Sequence, residues 1–255
     1  MAFDVSAACV GFWKLDENTT TCLISDALPT SIDGWLLDKG NVSVSTNRAT
    51  SAGKLGNCLQ FDGSAVSGRH VGFGNVLTFS RSAPFTMEAW IRQDDQDAAT
   101  SVLEKAIATK MKGVGVIFQV ENGCIALYIG NVATAMLGMY TSSNLVNDGT
   151  WHHVVATYAG TGLATGVHIF IDAVDRVLTN WSSTAISAFT IVSCYFAIGA
   201  SKNQSLQGRF FIGEIDNVRV YNIALNEDQI KGLYNGGHGN LNLNGNFTDV
   251  RVTEL

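Results

Sequence analysis

Two adjacent imidazoles stand near the middle of the chain, in Trp151-His152-His153, and such a pair invites a metal or catalytic reading. Its surroundings argue otherwise. Asn147-Asp148-Gly149-Thr150 is a tight reversal, and the residues from Trp151 to Tyr158 are aromatic, β-branched or His with one Ala, which is strand composition. Neighbouring side chains on a strand point to opposite faces, so the two rings cannot chelate one ion, and a structural role is expected. The chain has no Gly-x-Ser-x-Gly elbow and no phosphate-binding Gly loop. Gln93-Asp94-Asp95-Gln96-Asp97 crowds three carboxylates together and reads as an acidic surface loop before it reads as a cation site.

Saccharide recognition would need an exposed aromatic ring with amides or hydroxyls nearby. Trp181, flanked by Asn180, Ser182 and Ser183 in a turn-like stretch, is the first candidate, and Trp35 beside Gly34 is the second. Packing under a loop is the competing role for each.

Composition bounds what these residues can belong to. With 255 residues the chain can bury roughly three quarters of its unfolded surface in one core. It has 26 Gly, 2 Pro and 15% charged residues, which suits short strands joined by turns better than long surface helices. A net charge of −6 without a Lys/Arg cluster excludes a nucleic-acid partner. No run reaches the roughly 18 apolar residues of a membrane span, so membrane insertion is not expected. The start, Met1 to Cys9, lacks a basic n-region, so no leader is expected unless one has been removed. The five cysteines are scattered without Cys-x-x-Cys spacing and read as buried free thiols.

Strands are predicted over 10–15, 41–45, 53–62, 85–92, 101–105, 114–120, 124–128, 135–140, 151–158, 166–172, 176–179, 193–199 and 209–221. Asn122-Gly123 marks a two-residue hairpin. One helix opens at Asn226 with acids in its first turn and Gln229 at N3, and stops at Asn235-Gly236-Gly237. Many short strands without alternating helices predict an all-β, two-sheet antiparallel sandwich with one short C-terminal helix. Residues 1–239 form one domain. The tail 240–255 carries an alternating segment, Phe247 to Thr253, which either docks on a partner's sheet edge or closes the chain's own sheet.

Several phrases recur in a recognisable order: Gly11-Phe12-Trp13-Lys14-Leu15-Asp16-Glu17, Gly53-Lys54-Leu55-Gly56, Leu59-Gln60-Phe61-Asp62-Gly63, Phe85 to Ile91, Asp148 to Tyr158, Ile198-Gly199, and Gly213-Glu214-Ile215-Asp216-Asn217-Val218-Arg219-Val220-Tyr221. Together they resemble the LamG-like jelly-roll modules of the concanavalin A-like lectin/glucanase superfamily over roughly residues 10 to 236. The resemblance implies a jelly-roll β-sandwich and a structural calcium ion. The positions matching its metal ligands are Asp216, Asp62 and Asp16. It also implies ligand binding by loops or a sheet face in some members. The superfamily's hydrolases carry Glu-x-Asp-x-x-Glu, whereas here Arg219 stands in the third place after Glu214 and Asp216, so no enzyme is expected.

The function expected is therefore a non-catalytic, lectin-like surface recognition or assembly module. A module without a leader would suit a virion surface component, such as a capsid decoration or receptor-binding protein made in a host cytoplasm. The alternative is a secreted, calcium-dependent carbohydrate-binding module with an extracellular location. Expected partners are a glycan or another virion or cell-surface protein, with homo-oligomers open.

Overall fold

The strand around the histidine pair forms over the predicted residues and lies inside a sheet, flanked by paired strands on both sides. This is a computed structural model that describes residues 5–29, 31–63, 68–93, 105–111, 114–131, 135–183, 185–186, 195–201 and 209–239. The acidic residues 94–97, Cys194 and the tail 240–255 lie outside the described residues.

A short 3-10 turn precedes β1 (Cys9–Trp13). Then come β2 (Leu23–Ile24), β3 (Gly34–Leu37), β4 (Thr50–Ala52), β5 (Asn57–Asp62) and β6 (His70–Gly72). The longer strand β7 (Phe85–Arg92) leads to a meander of β8 (Lys105–Met111), β9 (Val114–Glu121), β10 (Cys124–Asn131) and β11 (Ala135–Thr141). After β12 (Trp151–Tyr158) follow β13 (Val167–Ile171), β14 (Val174–Asp175) and β15 (Leu178–Ser183). The chain closes with β16 (Ala197–Ile198), β17 (Ala200–Ser201), β18 (Arg209–Phe210), β19 (Ile212–Tyr221) and helix α1 (Glu227–Tyr234).

These strands make an all-β sandwich. One sheet runs β14-β13-β12-β7-β19-β5-β4, with β1 also on β19, the other runs β15-β11-β10-β9-β8-β16-β6-β3-β2, and β17 and β18 pair with each other outside both. All their described pairings are antiparallel. Asn122 and Gly123 take φ of 50° and 72°, the two positive values a type I′ hairpin needs, and join β9 to β10 in register. The predicted strand over 41–45 is absent. Asp38 Oδ1 accepts the Val42 N–H at 2.8 Å, Asn41 adopts a φ of 60°, and one bridge from Leu37 to Ser43 remains. A side-chain acceptor has captured an amide that a strand would have paired.

The inward faces meet in one core: Met87, Ala89 and Ile91 from β7, Phe118 from β9 and Leu127 and Ile129 from β10 are all buried. Trp13, Phe73 and Phe196 pack ring on ring, with centroids 4.5 Å and 5.4 Å from Trp13. Each such side chain contributes about 1.5–3 kcal/mol. A second cluster covers the outer face of the eight-stranded sheet. There Phe12, Val155, Phe170 and Tyr221 pack under Ile230 and Leu233 of α1. The helix is set by a capping box between Asn226 and Gln229 and ended by Asn235 in the left-handed conformation.

Candidate binding face and acidic cluster

Alternation along β9, β10 and β11 sends Val116, Phe118, Val120, Ile125, Leu127, Ile129 and Leu137 into the core. The residues between them therefore stand on the outer face of the nine-stranded sheet. There Tyr128 packs edge to face with Trp181, centroids 6.0 Å apart at 75°. Trp181 is 66% exposed, a large apolar ring presented to solvent. It belongs to strand β15 and not to a turn. The β11–β15 register shifts between Gly138, paired with Ser182, and Met139, paired with Asn180, which leaves Trp181 as the extra residue of a bulge. The bulge aims the indole over Gly138, where a Cβ would lie 2.9 Å from Tyr128 Cε1 and 3.2 Å from Trp181 Cε3. Ser182 Oγ donates to the Met136 carbonyl at 2.6 Å. Asn180 is exposed, but it stands opposite Met139, whose side chain lies in the core cluster, so it is not part of the Trp181 patch.

Three further residues complete this patch, none of which the motifs marked. Tyr128 Oη donates to Glu121 Oε2 at 2.6 Å, and Gln119 Nε2 donates to the same oxygen at 3.3 Å. Burial, followed by Glu121, pushes the Tyr128 phenol well above its ordinary value, so it remains a donor. The signal was the period-two alternation across the Asn122-Gly123 hairpin, which puts Gln119, Glu121 and Tyr128 on one face.

Trp35 lies on the same outer face, since its neighbour Leu36 is in the core, but at the other end of the sheet. Seven strand steps separate β15 from β3, about 34 Å at the usual spacing. Trp35 is 48% exposed beside its cross-strand partner Leu23. The two tryptophans therefore belong to separate patches.

The acidic candidates divide as well. Asp216 is fully buried, and its Oδ2 accepts the Leu55 N–H at 2.8 Å while Oδ1 accepts Asn217 Nδ2 at 2.6 Å. Burial pushes its carboxyl up to about 7 against the pull of the Leu55 and Lys54 amides, and Asp16 adds to the rise. Asp16 Oδ1 accepts the Asn57 N–H at 2.8 Å, so the two carboxylates flank the turn from Gly53 to Asn57. Asn217 Oδ1 is buried without a hydrogen-bond partner. Two carboxylates and one unpaired amide oxygen are of the oxygen-donor type that calcium takes. Asp62 stands apart: it pairs with Ile212, four residues along β19 from Asp216, about 13 Å away. Among the described residues no three His, Cys, Asp or Glu side chains gather in a metal-holding group.

The histidines part to opposite faces. His153 is buried against Trp90, with its Nε2 3.4 Å from Glu88 Oε2 at contact distance without hydrogen-bond geometry. Glu88 also pairs with Arg219 and accepts Tyr221 Oη at 3.3 Å. Burial alone would raise the Glu88 carboxyl, but Arg219 and His153 outweigh it and hold it below the carboxylate range. His152 lies between Asp172, 2.7 Å from Nδ1, and Asp148, 3.1 Å from Nε2, with Thr150 Oγ1 at 3.0 Å. The Asp172–His152–Thr150 chain has the order of a hydrolytic triad. Yet the Thr150 hydroxyl donates to Asp148 Oδ1 at 2.8 Å, and Asp172 and Asp148 together hold the imidazole above its ordinary pKa. Its geometry serves to tie two turns together.

A family model described as the Concanavalin A-like lectin/glucanases superfamily matches residues 64–231. The chain belongs to that superfamily. No curated protein sequence matches it. Among solved structures it is similar to the binding domain of Paraclostridial Mosquitocidal Protein 1, with a TM-score of 0.68, 15% identity, and 91% of this chain and 53% of that one covered. It is also similar to domain 4 of an extracellular arabinanase from Geobacillus stearothermophilus, in complex with arabinotriose, at 0.63, 17%, 91% and 98%. A third is the binding domain of Botulinum neurotoxin DC in complex with rat synaptotagmin II, at 0.60, 12%, 91% and 52%. The chain spans about half the length of these two toxin domains. At these identities the likeness concerns the fold.

Proposed function

We propose that this chain is a non-catalytic, lectin-like recognition module that binds a glycan on the outer face of its nine-stranded sheet, at the β11–β15 end. The observation carrying this reading is the exposed Trp181 ring, aimed outward by a bulge and seated on Tyr128 over Gly138. An aromatic face with a hydrogen-bonding group beside it is what a saccharide's apolar ring face and hydroxyls call for. A non-catalytic role is supported by the fate of the acids: Glu88 is neutralised by Arg219, Glu214 is paired with Arg92 at 2.9 Å, and Asp216 is buried under amide donors. Neighbours of this fold are, in the words describing them, binding domains and a domain of an extracellular enzyme, one holding arabinotriose and one bound to a protein receptor. This supports display on a surface, which we place on a virion, with a cell exterior as the alternative. Calcium would be held by Asp216, Asp16 and Asn217 Oδ1, and would act structurally by neutralising the carboxylates that flank the Gly53–Asn57 turn.

A glycan array probed with the wild-type chain and with Trp181→Ala tests the reading. Loss of the aromatic anchor should cost about 2 kcal/mol or more, roughly 30-fold in affinity. A wild-type glycan signal that persists in Trp181→Ala would move the site elsewhere. Binding to a protein receptor with no glycan signal would replace the ligand class.

A further inference from the structure

Trp181 supplies a stacking surface, but a bare ring accepts many sugars. Selectivity must come from the polar group beside it, and in this patch that group is Glu121. Its Oε2 receives two donors, Tyr128 Oη at 2.6 Å and Gln119 Nε2 at 3.3 Å. Gln119 is fully buried, and turning its amide over would set its oxygen against the carboxylate, so its donor faces Glu121. The Tyr128 ring is in turn fixed against Trp181 above Gly138. The carboxylate is therefore held at one oxygen and open at the other: among the described residues Oε1 has no hydrogen-bond partner and Glu121 has no ion pair.

We propose that Glu121 is the specificity-determining residue of the Trp181 site, accepting a hydroxyl of a neutral saccharide at Oε1 and excluding carboxylated, sulfated and phosphorylated glycans. This rests on the reading of the face as a saccharide surface. A charged acceptor makes a stronger hydrogen bond to a hydroxyl than a neutral one does. The same charge repels an anionic sugar, and the repulsion grows as the stacked ligand displaces water from the patch. The chain's net charge of −6 acts in the same direction. Because Tyr128 and Gln119 hold the carboxylate before any ligand arrives, little ordering is left to be done on binding.

Affinity electrophoresis of the full chain against matched probes tests this: dextran with dextran sulfate, linear arabinan with polygalacturonate. The variants are Glu121→Gln, which keeps the shape without the charge, Tyr128→Phe, which removes one positioning donor, and Trp181→Ala. Wild type should be retarded by a neutral polymer and by neither acidic one. Glu121→Gln should bind the neutral polymer about tenfold more weakly, the loss of one charge-assisted hydrogen bond, and should begin to be retarded by its acidic partner. Tyr128→Phe should weaken neutral binding and leave the acidic polymers excluded. Unchanged melting curves would keep these results independent of folding. The inference is overturned if wild type binds an acidic polymer as well as its neutral partner, or if Glu121→Gln keeps both affinity and exclusion while Trp181→Ala loses binding. Failure of every polymer to retard wild type, or equal retardation of wild type and Trp181→Ala, overturns the saccharide reading of the face itself.

Discussion

Replacing Glu88 by Gln should cost more stability than any other single uncharging in the described chain. Glu88 sits in register opposite Arg219 on β19 and Val155 on β12, so its carboxylate lies at the middle of three hydrogen-bonded strands. It is 1% exposed, as is Arg219, whose guanidinium carbon also lies 4.2 Å from the centre of the Phe12 ring. Gln preserves the shape and one acceptor for Arg219 and Tyr221. It removes the charge, leaving a buried guanidinium uncompensated, and such a loss costs about 3–5 kcal/mol. For a chain of this size that is roughly 10 °C in melting temperature. The pH sense follows from the carboxyl being held below its usual range. Its contribution is present above the unfolded value near 4.3 and disappears as pH falls through the lower native value, so wild type should lose stability on acidification where Glu88→Gln does not. Glu88→Leu combined with Arg219→Met, which removes both charges, should recover most of the loss. Thermal melts and urea titrations at pH 7 of wild type and both variants provide the readout. A Glu88→Gln protein melting within about 2 °C of wild type, or a double variant worse than the single, would refute the claim that the pair matters through charge left unpaired.

His152 supplies a smaller and opposite pH effect. Asp172 first, with Asp148 adding, raises its pKa, so its stabilisation is complete below the unfolded value near 6.5 and fades as pH rises through the native one. An NMR titration should find its midpoint above 6.5, and Asp172→Asn should return it toward that value while costing at most about 1 kcal/mol at pH 6. Calcium provides a separate test. Millimolar calcium should raise the wild-type melting temperature and chelator should lower it, with Asp216→Asn indifferent to both; equal responses in the two proteins would remove Asp216 from any calcium site.

How much of this was legible in the sequence depends on what each residue's signal competes with. Phe85 to Arg92 and Trp151 to Tyr158 were readable to the residue because aromatic and β-branched side chains alternate there without interruption and turns bound both. The helix was readable because its cap is local: Asn226 and Gln229 satisfy each other's amides. Of the two-residue strands, β16 falls inside the predicted 193–199, whereas β2 and β17 are too short to show any alternation and exist only through their pairing with β3 and β18. Trp181 stood out as an aromatic among polar residues, but its strand and its bulge depend on the Gly138–Met139 register, which is a property of the pair. Glu121 carries no local signal beyond its place before the Asn122-Gly123 turn. Only folding brings Tyr128 Oη onto it.

The two outer faces of the sandwich explain why recognition should fall where it does. On the eight-stranded sheet, β7, β12 and β19 carry Glu88, Trp90, His153 and Arg219 outward. Those side chains are buried because Phe12 of β1 and the α1 helix, with Tyr234 stacked 5.9 Å from Trp90, close over them. A strand face this rich in charge and aromatic rings would be a natural binding surface, and the chain has used it for its own helix. The nine-stranded sheet has no described helix on its outer side, and two tryptophan rings there, Trp35 at 48% and Trp181 at 66%, remain exposed. Of the two, only Trp181 has a charged acceptor held in place beside it through Tyr128, whereas Trp35 has an apolar partner in Leu23. A saccharide needs both a ring face and a directed hydroxyl partner, and that pairing singles out the β11–β15 end.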